Sequence, residues 1–402
     1  MELHGSRRQG KKYGGTMTVT GLDVLLSDPS KCHGRRIGLM VNQSSLTASL
    51  KYSWKAFAKK GVKIERIFSP EHGIFATEQD QIAVATEPTA GIETLSLYGD
   101  SEASLVPNRA LLEGLDLIIF DMQDIGSRYY TYVNTLALTM EAVSSMDIEI
   151  MVLDRPNPLG GELVEGPMLD PLFRSFVGIF PVPVRHGLTA GELATLYMEH
   201  AKLDLKLTVI KMERWRRQML YPETGLAWIP PSPNMPTVET AAIYPGMCLF
   251  EGLNVSEGRG STTPFQLSGA PFIDPMKLAD RCRSFGLKGV FFRPTWFRPT
   301  FHKFAGEVAG AIWLQVTDHQ QFRPFATGVA MTAAIHELYG RELQFLHEVY
   351  EFNSALPAFD LLAGSDRVRT AILEKLAVQD ILASWHTEES EFRRFKKTFH
   401  LY

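Results

Sequence analysis

The stretch LDLIIFDMQDIGSRYYTY, residues 115–132, decides how the chain is read, because an apolar run stops abruptly at acids, an arginine and clustered tyrosines. Leu117, Ile118, Ile119 and Phe120 lack the polar alternation of a one-sided sheet. They predict a strand covered on both faces, as in parallel sheets. Asp121, Asp124, Arg128, Tyr129 and Tyr130 follow at once. In open α/β sheets ligands sit beyond the carboxyl ends of the strands, so polar residues placed there are site candidates. An acidic helix cap with tyrosines filling a core accounts for this single stretch equally well.

The same pattern recurs on either side. RIGLMVN, residues 36–42, predicts a strand ending at Asn42, and the strand at 64–68 runs into Ser69-Pro70-Glu71-His72-Gly73. Pro70 disfavours further pairing and Gly73 permits a sharp turn, which puts Glu71 and His72 on a loop. A polar loop follows at 77–87. Residues 148–153 lead to Asp154, Arg155 and Asn157, and 180–184 to Arg185 and His186. Between these runs, helical patterns occur near 18–28, 52–60 and 133–145, and Thr189 with Glu192 forms a capping box. Alternating residues at 203–209 predict a half-exposed edge strand. Strands alternating with helices imply right-handed βαβ units whose ends share one edge. The expected fold class is α/β, a Rossmann-like, doubly wound, mostly parallel sheet at 17–220. With neither GxGxxG after the first strand nor GxxxxGK[ST], no cofactor is expected.

Past residue 221 the texture changes. The segment 228–236 is too rich in proline for helix or central strand and reads as a rigid crossing. Residues 249–263 gather Glu251, Asn254, Glu257 and Arg259 with glycines in one loop. Strand-like pieces at 289–292 and 310–316 flank an aromatic, cationic loop at 293–303, and helices are expected at 329–339 and 366–400. Residues 221–402 are therefore expected to form a second, smaller α+β domain.

A chain of 402 residues suits two domains. Its net charge of −4 offers no extended basic face, so nucleic acid is not an expected partner. Cys32, Cys248 and Cys282 lack metal or disulfide spacing. Residues 1–16 read as a disordered basic tail without an apolar h-region, and no run of apolar residues is long enough to span a membrane. The expectation is a cytoplasmic protein; oligomeric state is not legible.

Glycoside hydrolysis uses paired carboxyl groups. Glu71 is the expected acid, assisted by His72, with Asp124 or Glu257 as partner. His72, Asp124, Asp154 and His186 are metal-ligand types, but no HxH or HExxH spacing joins them, and no metal is expected. A serine triad lacks its G-x-S-x-G. Arg259, Arg293, Arg298 and Lys303 are suited to gripping a substrate carboxylate, and Trp296, Phe297 and Phe301 to stacking on a sugar.

Seven motifs, SPEHG (69–73), FDMQDIGSRYYTY (120–132), VLDRPNPLGG (152–161), PVPVRHGLTAGELA (181–194), PPSPNMPT (230–237), YPGMCLFEGLNVSEGRGSTTPF (244–265) and FRPTWFRPTFHKFAGE (292–307), resemble the exo-β-N-acetylmuramidase family in the same order. The resemblance runs from Gly21 to the C-terminus. It implies a cleft between a Rossmann-like domain and the second domain, and release of N-acetylmuramic acid from the non-reducing end of peptidoglycan fragments. A small muramyl saccharide is then the expected partner. Asp124 or the substrate's acetamido group would support the charged centre, while Asn42, Arg128, Tyr129, Tyr130, Asp154, Arg155, Asn157, His186, Asn234, Glu257 and Arg259 would bind the sugar. A non-catalytic muropeptide sensor and a metal-dependent hydrolase of another substrate remain alternatives.

Overall fold

The computed structural model describes residues 17–79, 81–83 and 89–402. The expected N-terminal tail and part of the 77–87 loop lie outside them. Eleven strands occur among the described residues: β1 (Ile37–Val41), β2 (Ile64–Ser69), β3 (Glu93–Ser96), β4 (Leu117–Asp121), β5 (Glu149–Leu153), β6 (Glu165–Met168), β7 (Pro183–Arg185), β8 (Leu207–Ile210), β9 (Leu267–Ala270), β10 (Val290–Phe297) and β11 (Ala309–Val316). Six of them make one sheet in the order β3-β2-β1-β4-β5-β8, with every pair parallel. The order reverses between β1 and β4. That is the switch point at which such sheets open a crevice.

Successive side chains of a strand face opposite sides, and here both sides are dry. Leu39, Leu117, Ile119, Met151 and Leu153 enter one core with Leu25, Trp54 and Phe57. Met40, Ile118, Phe120, Ile150 and Val152 enter the other, larger core. Helices Gly21–Ser27 and Ser53–Lys59 supply side chains to the first face and Thr131–Val143 to the second. Burying ten such side chains contributes roughly 1.5–3 kcal/mol each. The α/β expectation and the half-exposed edge strand, β8, agree with this sheet.

Two assignments change. The run at 180–184 does not join the main sheet: β7 pairs antiparallel with β6 in a separate hairpin, so Arg185 and His186 do not stand at a central strand end. Residues 293–297, expected in a loop, belong to β10, which forms an antiparallel sheet in the order β10-β11-β9. Pro294 is tolerated because β10 is an edge strand. The larger core continues from Phe120 and Val133 through Tyr244 and Phe250 to Phe325 and Phe359. The C-terminus then returns to the first sheet, where the Tyr402 hydroxyl reaches Asp154 at 2.8 Å. No helix among the described residues is long and apolar enough to cross a membrane.

Candidate active site

At the end of β2 the chain turns sharply. The Gly73 amide donates to the Pro70 carbonyl at 3.0 Å, and His72, the third residue of this turn, has φ +68°. A positive φ is needed there in a type II turn and is normally supplied by glycine; with a Cβ it costs about 1–2 kcal/mol. The turn presents Glu71, 4% exposed, to a cavity between the two halves of the chain. Thr131, at the start of helix Thr131–Val143, donates its hydroxyl to Glu71 Oε2 at 2.6 Å. His72 Nδ1–H donates to the Glu78 carbonyl at 3.0 Å, which fixes the orientation of the ring.

The walls come from three parts of the chain. Glu71, His72, Tyr129, Tyr130 and Thr131 belong to the six-stranded domain; Ser232, Asn234 and Met235 belong to the proline-rich crossing; Tyr244, Glu251, Arg259, Phe265, Tyr350 and Glu351 come from beyond it. Tyr129 is fixed by donation to the Pro245 carbonyl and by edge contact with Tyr244 at 5.7 Å. Asn234 donates to Gln79 at 2.7 Å. Arg259 lies 2.6 Å from Glu251 Oε1 and 3.3 Å from Glu257, with its guanidinium 5.1 Å from the Phe265 ring centre. The Tyr350 hydroxyl donates to Glu251, and that of Tyr98 to Glu351 at 2.8 Å.

Of the residues expected from sequence, Glu71, His72, Tyr129, Tyr130, Asn234 and Arg259 meet at this cavity. The others do not line it. Asp124 is buried with Oδ2 held by the Gly126 amide at 2.8 Å, and burial pushes its carboxyl up to about 7. His186 stands 3.9 Å from it, accepts from the Leu188 amide through Nδ1, and is pushed by burial down to about 3. Asn42 accepts from the Ser44 amide and hydroxyl and donates to the Pro231 carbonyl, tying β1 to the crossing. Arg128 spends its guanidinium on the carbonyls of Pro167, Val182 and Leu362. Asp154 accepts from Thr189, Gly191 and Tyr402. Arg155 pairs with Asp121 at 2.7 Å and faces a different cavity, beside Ser44 and Tyr221. Asn157 bridges Leu159 and Leu188.

Glu257 sits one layer behind the cavity. Burial alone would raise its pKa, but Lys303 at 3.0 Å, His302 at 3.2 Å and Arg259 hold it well below the usual range. Lys303 and Arg298 are occupied by Glu257 and by the Gly306 carbonyl, and Arg293 lies over Trp313. Trp296, Phe297 and Phe301 are not among the lining residues; Phe265, four tyrosine rings and the His72 ring take that place. Asp124 and His186 approach each other, but His72 lines the cavity apart from them, and no group of three or more His, Cys, Asp or Glu side chains that could hold a metal ion occurs among the described residues.

Thr131, Ser232, Tyr244, Glu251, Phe265, Tyr350 and Glu351 line the cavity without having been singled out as site residues. Thr131, Tyr244, Glu251 and Phe265 lie inside the shared motifs, which were a usable signal. Tyr350 and Glu351 lie outside all of them.

Comparison with known proteins matches both parts. The family models described as the N-terminal and C-terminal portions of the exo-β-N-acetylmuramidase NamZ cover residues 37–239 and 242–402. The peptidoglycan β-N-acetylmuramidase NamZ of Bacillus subtilis (strain 168) is 41% identical over 387 residues, 95% of this chain and 91% of that protein. Crystal structures of two DUF1343 family proteins from Bacteroides fragilis NCTC 9343 align with TM-scores of 0.85 and 0.73 at 30% and 28% identity, each over 96% of this chain and 99% of the other. The chain belongs to the exo-β-N-acetylmuramidase family.

Proposed function

We propose that the chain is an exo-acting glycoside hydrolase that releases N-acetylmuramic acid from the non-reducing end of peptidoglycan fragments, with Glu71 as the acid. One observation carries the assignment of the site. At this cavity the carboxyl of a strained, strand-terminal turn and an arginine of the second domain face the same space. Glu71 Oε2 is held by Thr131, so Oε1 is the oxygen that delivers a proton to the glycosidic oxygen. Arg259 supplies the cation for the lactyl carboxylate of the sugar, and the aromatic walls cover its ring.

The test is incubation with N-acetylmuramyl-N-acetylglucosamine and detection of both free sugars. Wild type releases them, and Glu71→Gln reduces kcat by about 100-fold or more while remaining folded. Binding heat without product from wild type would instead make the protein a muropeptide sensor, and undiminished turnover by Glu71→Gln would remove Glu71 from the reaction.

A further inference from the structure

Helix Val238–Met247 shows Tyr244 to the cavity of Glu71 and turns Val238 and Ala242 to a second pocket. Ala242 and Tyr244 are two residues apart, about 200° around the helix. The two cavities share no lining residue. Pro158, Leu159 and Leu220 of the six-stranded domain and Val238, Ala242 and Phe322 of the second domain give the second pocket apolar walls. At its rim His319 lies 3.5 Å from Glu239. One buried charge interrupts the apolar lining: Arg185, at the end of β7 and 4% exposed. It also lines an adjoining recess beside Gly160 and Gln218, so it stands where the two spaces meet.

A guanidinium carries five N–H groups. That of Arg185 finds one acceptor among the described residues, the Leu159 carbonyl at 2.6 Å from Nη2, and its Nε is shut off from solvent without a partner. Arg128 shows how the fold treats a cation that it seals in, giving it the carbonyls of Pro167, Val182 and Leu362. Glu165 stands opposite Arg185 in the β6–β7 register, yet no ion pair joins them. Its Oε1 accepts from the Ala326 amide at 2.8 Å instead, and burial pushes its carboxyl up to about 7, which leaves a fraction of a charge at neutral pH. Arg323 adds positive potential from the other side. Burying a cation with so few acceptors is costly, and an anion that reached it would gain charge-assisted hydrogen bonds where little water competes. The planar guanidinium favours a carboxylate, and the apolar walls favour one carried on a hydrocarbon chain.

We propose that the pocket around Arg185, at the seam of the two domains, is a second binding site, which takes a small aliphatic carboxylate. The anion sits on the Arg185 guanidinium and the chain lies against Leu220, Val238 and Phe322. The site is separate from the reaction at Glu71, so it stands or falls independently of the muramidase reading.

The experiment is a ligand-observed NMR titration of the full chain with hexanoate and with hexanamide, its neutral counterpart of the same shape. Wild type binds hexanoate with a Kd of about 1 mM or tighter, and hexanamide at least about tenfold more weakly. Val238→Phe, which brings a ring into the pocket from a half-buried position and leaves Arg185 untouched, weakens hexanoate at least about tenfold. Arg185→Gln brings the two ligands to within about twofold of each other. Hexanoate that does not saturate wild type by about 20 mM, or that binds no better than hexanamide, overturns the proposal. So does hexanoate that binds Val238→Phe as tightly as wild type, a result that would put it in the cavity of Arg259 instead.

Discussion

The ends of β4 and β5 and the end of β2 have the same appearance in sequence, apolar runs closing on acids, yet they serve different purposes. At β4 and β5, Asp121 is taken by Arg155, and Asp154 by Thr189, Gly191 and Tyr402. At β2, Glu71 has one hydroxyl donor on Oε2 and a cavity before it. Position at the carboxyl edge of the sheet therefore nominates a residue without deciding its role. What decides is whether the polar atoms are spent on the protein or turned towards space. The backbone follows the same division: the turn of Glu71 contains His72 at φ +68°, whereas Asp121 ends a regular strand.

The largest expected effect breaks the scaffold side of this contrast. Asp121 is fully buried, and its carboxyl, pushed up by burial and drawn down by Arg155, settles at about 6. Asp121→Ala leaves the Arg155 guanidinium buried without its partner, which costs about 3–5 kcal/mol. Urea unfolding at pH 7 measures it. A loss below about 1 kcal/mol would mean that water reaches Arg155 and that the pair is not structural.

An intermediate effect concerns Asp124, the sequence candidate that became scaffold. Burial raises its pKa to about 7, so between about pH 4 and 7 the folded state holds a proton that the unfolded state releases. The unfolded chain then binds fewer protons, and this group's contribution to stability falls as pH rises through that window. His186, 3.9 Å away and lowered to about 3, acts with the opposite slope below its ordinary pKa, and Asp154, near 6, adds to the slope of Asp124. Both remain in Asp124→Asn and largely cancel in the difference from wild type. Relative to wild type, the variant therefore gains on the order of 2 kcal/mol between pH 4 and pH 7. Parallel urea curves at the two pH values, giving an unchanged difference, would contradict a protonated buried Asp124.

The same contrast explains what the sequence could and could not reveal. β1, β4 and β5 were legible because burial on both faces leaves an uninterrupted apolar run. β3, of sequence Glu93-Thr-Leu-Ser96, is too short and polar to leave such a trace, and the 180–184 run has the texture of a central strand although β7 pairs only with β6. Glu71 was legible from the proline and glycine that bracket it. Glu351 was not, because its turn lacks the glycine by which such turns are found. Asp154 misled because one of its partners, Tyr402, lies 248 residues away and no local pattern announces it.

The smallest effect sharpens the site side of the comparison. Glu71→Gln keeps a carbonyl oxygen to accept from Thr131, and its new amide group points into the cavity, where water can solvate it. The isosteric amide exchanges one hydrogen bond from the Thr131 hydroxyl for another of the same geometry, so the expected change in unfolding free energy is within about 1 kcal/mol, far below the loss at Asp121. Urea unfolding of the two variants side by side makes the comparison. A destabilisation of Glu71→Gln that matched Asp121→Ala would place Glu71 with the scaffold acids, because a carboxylate turned towards space has little of the fold depending on its charge.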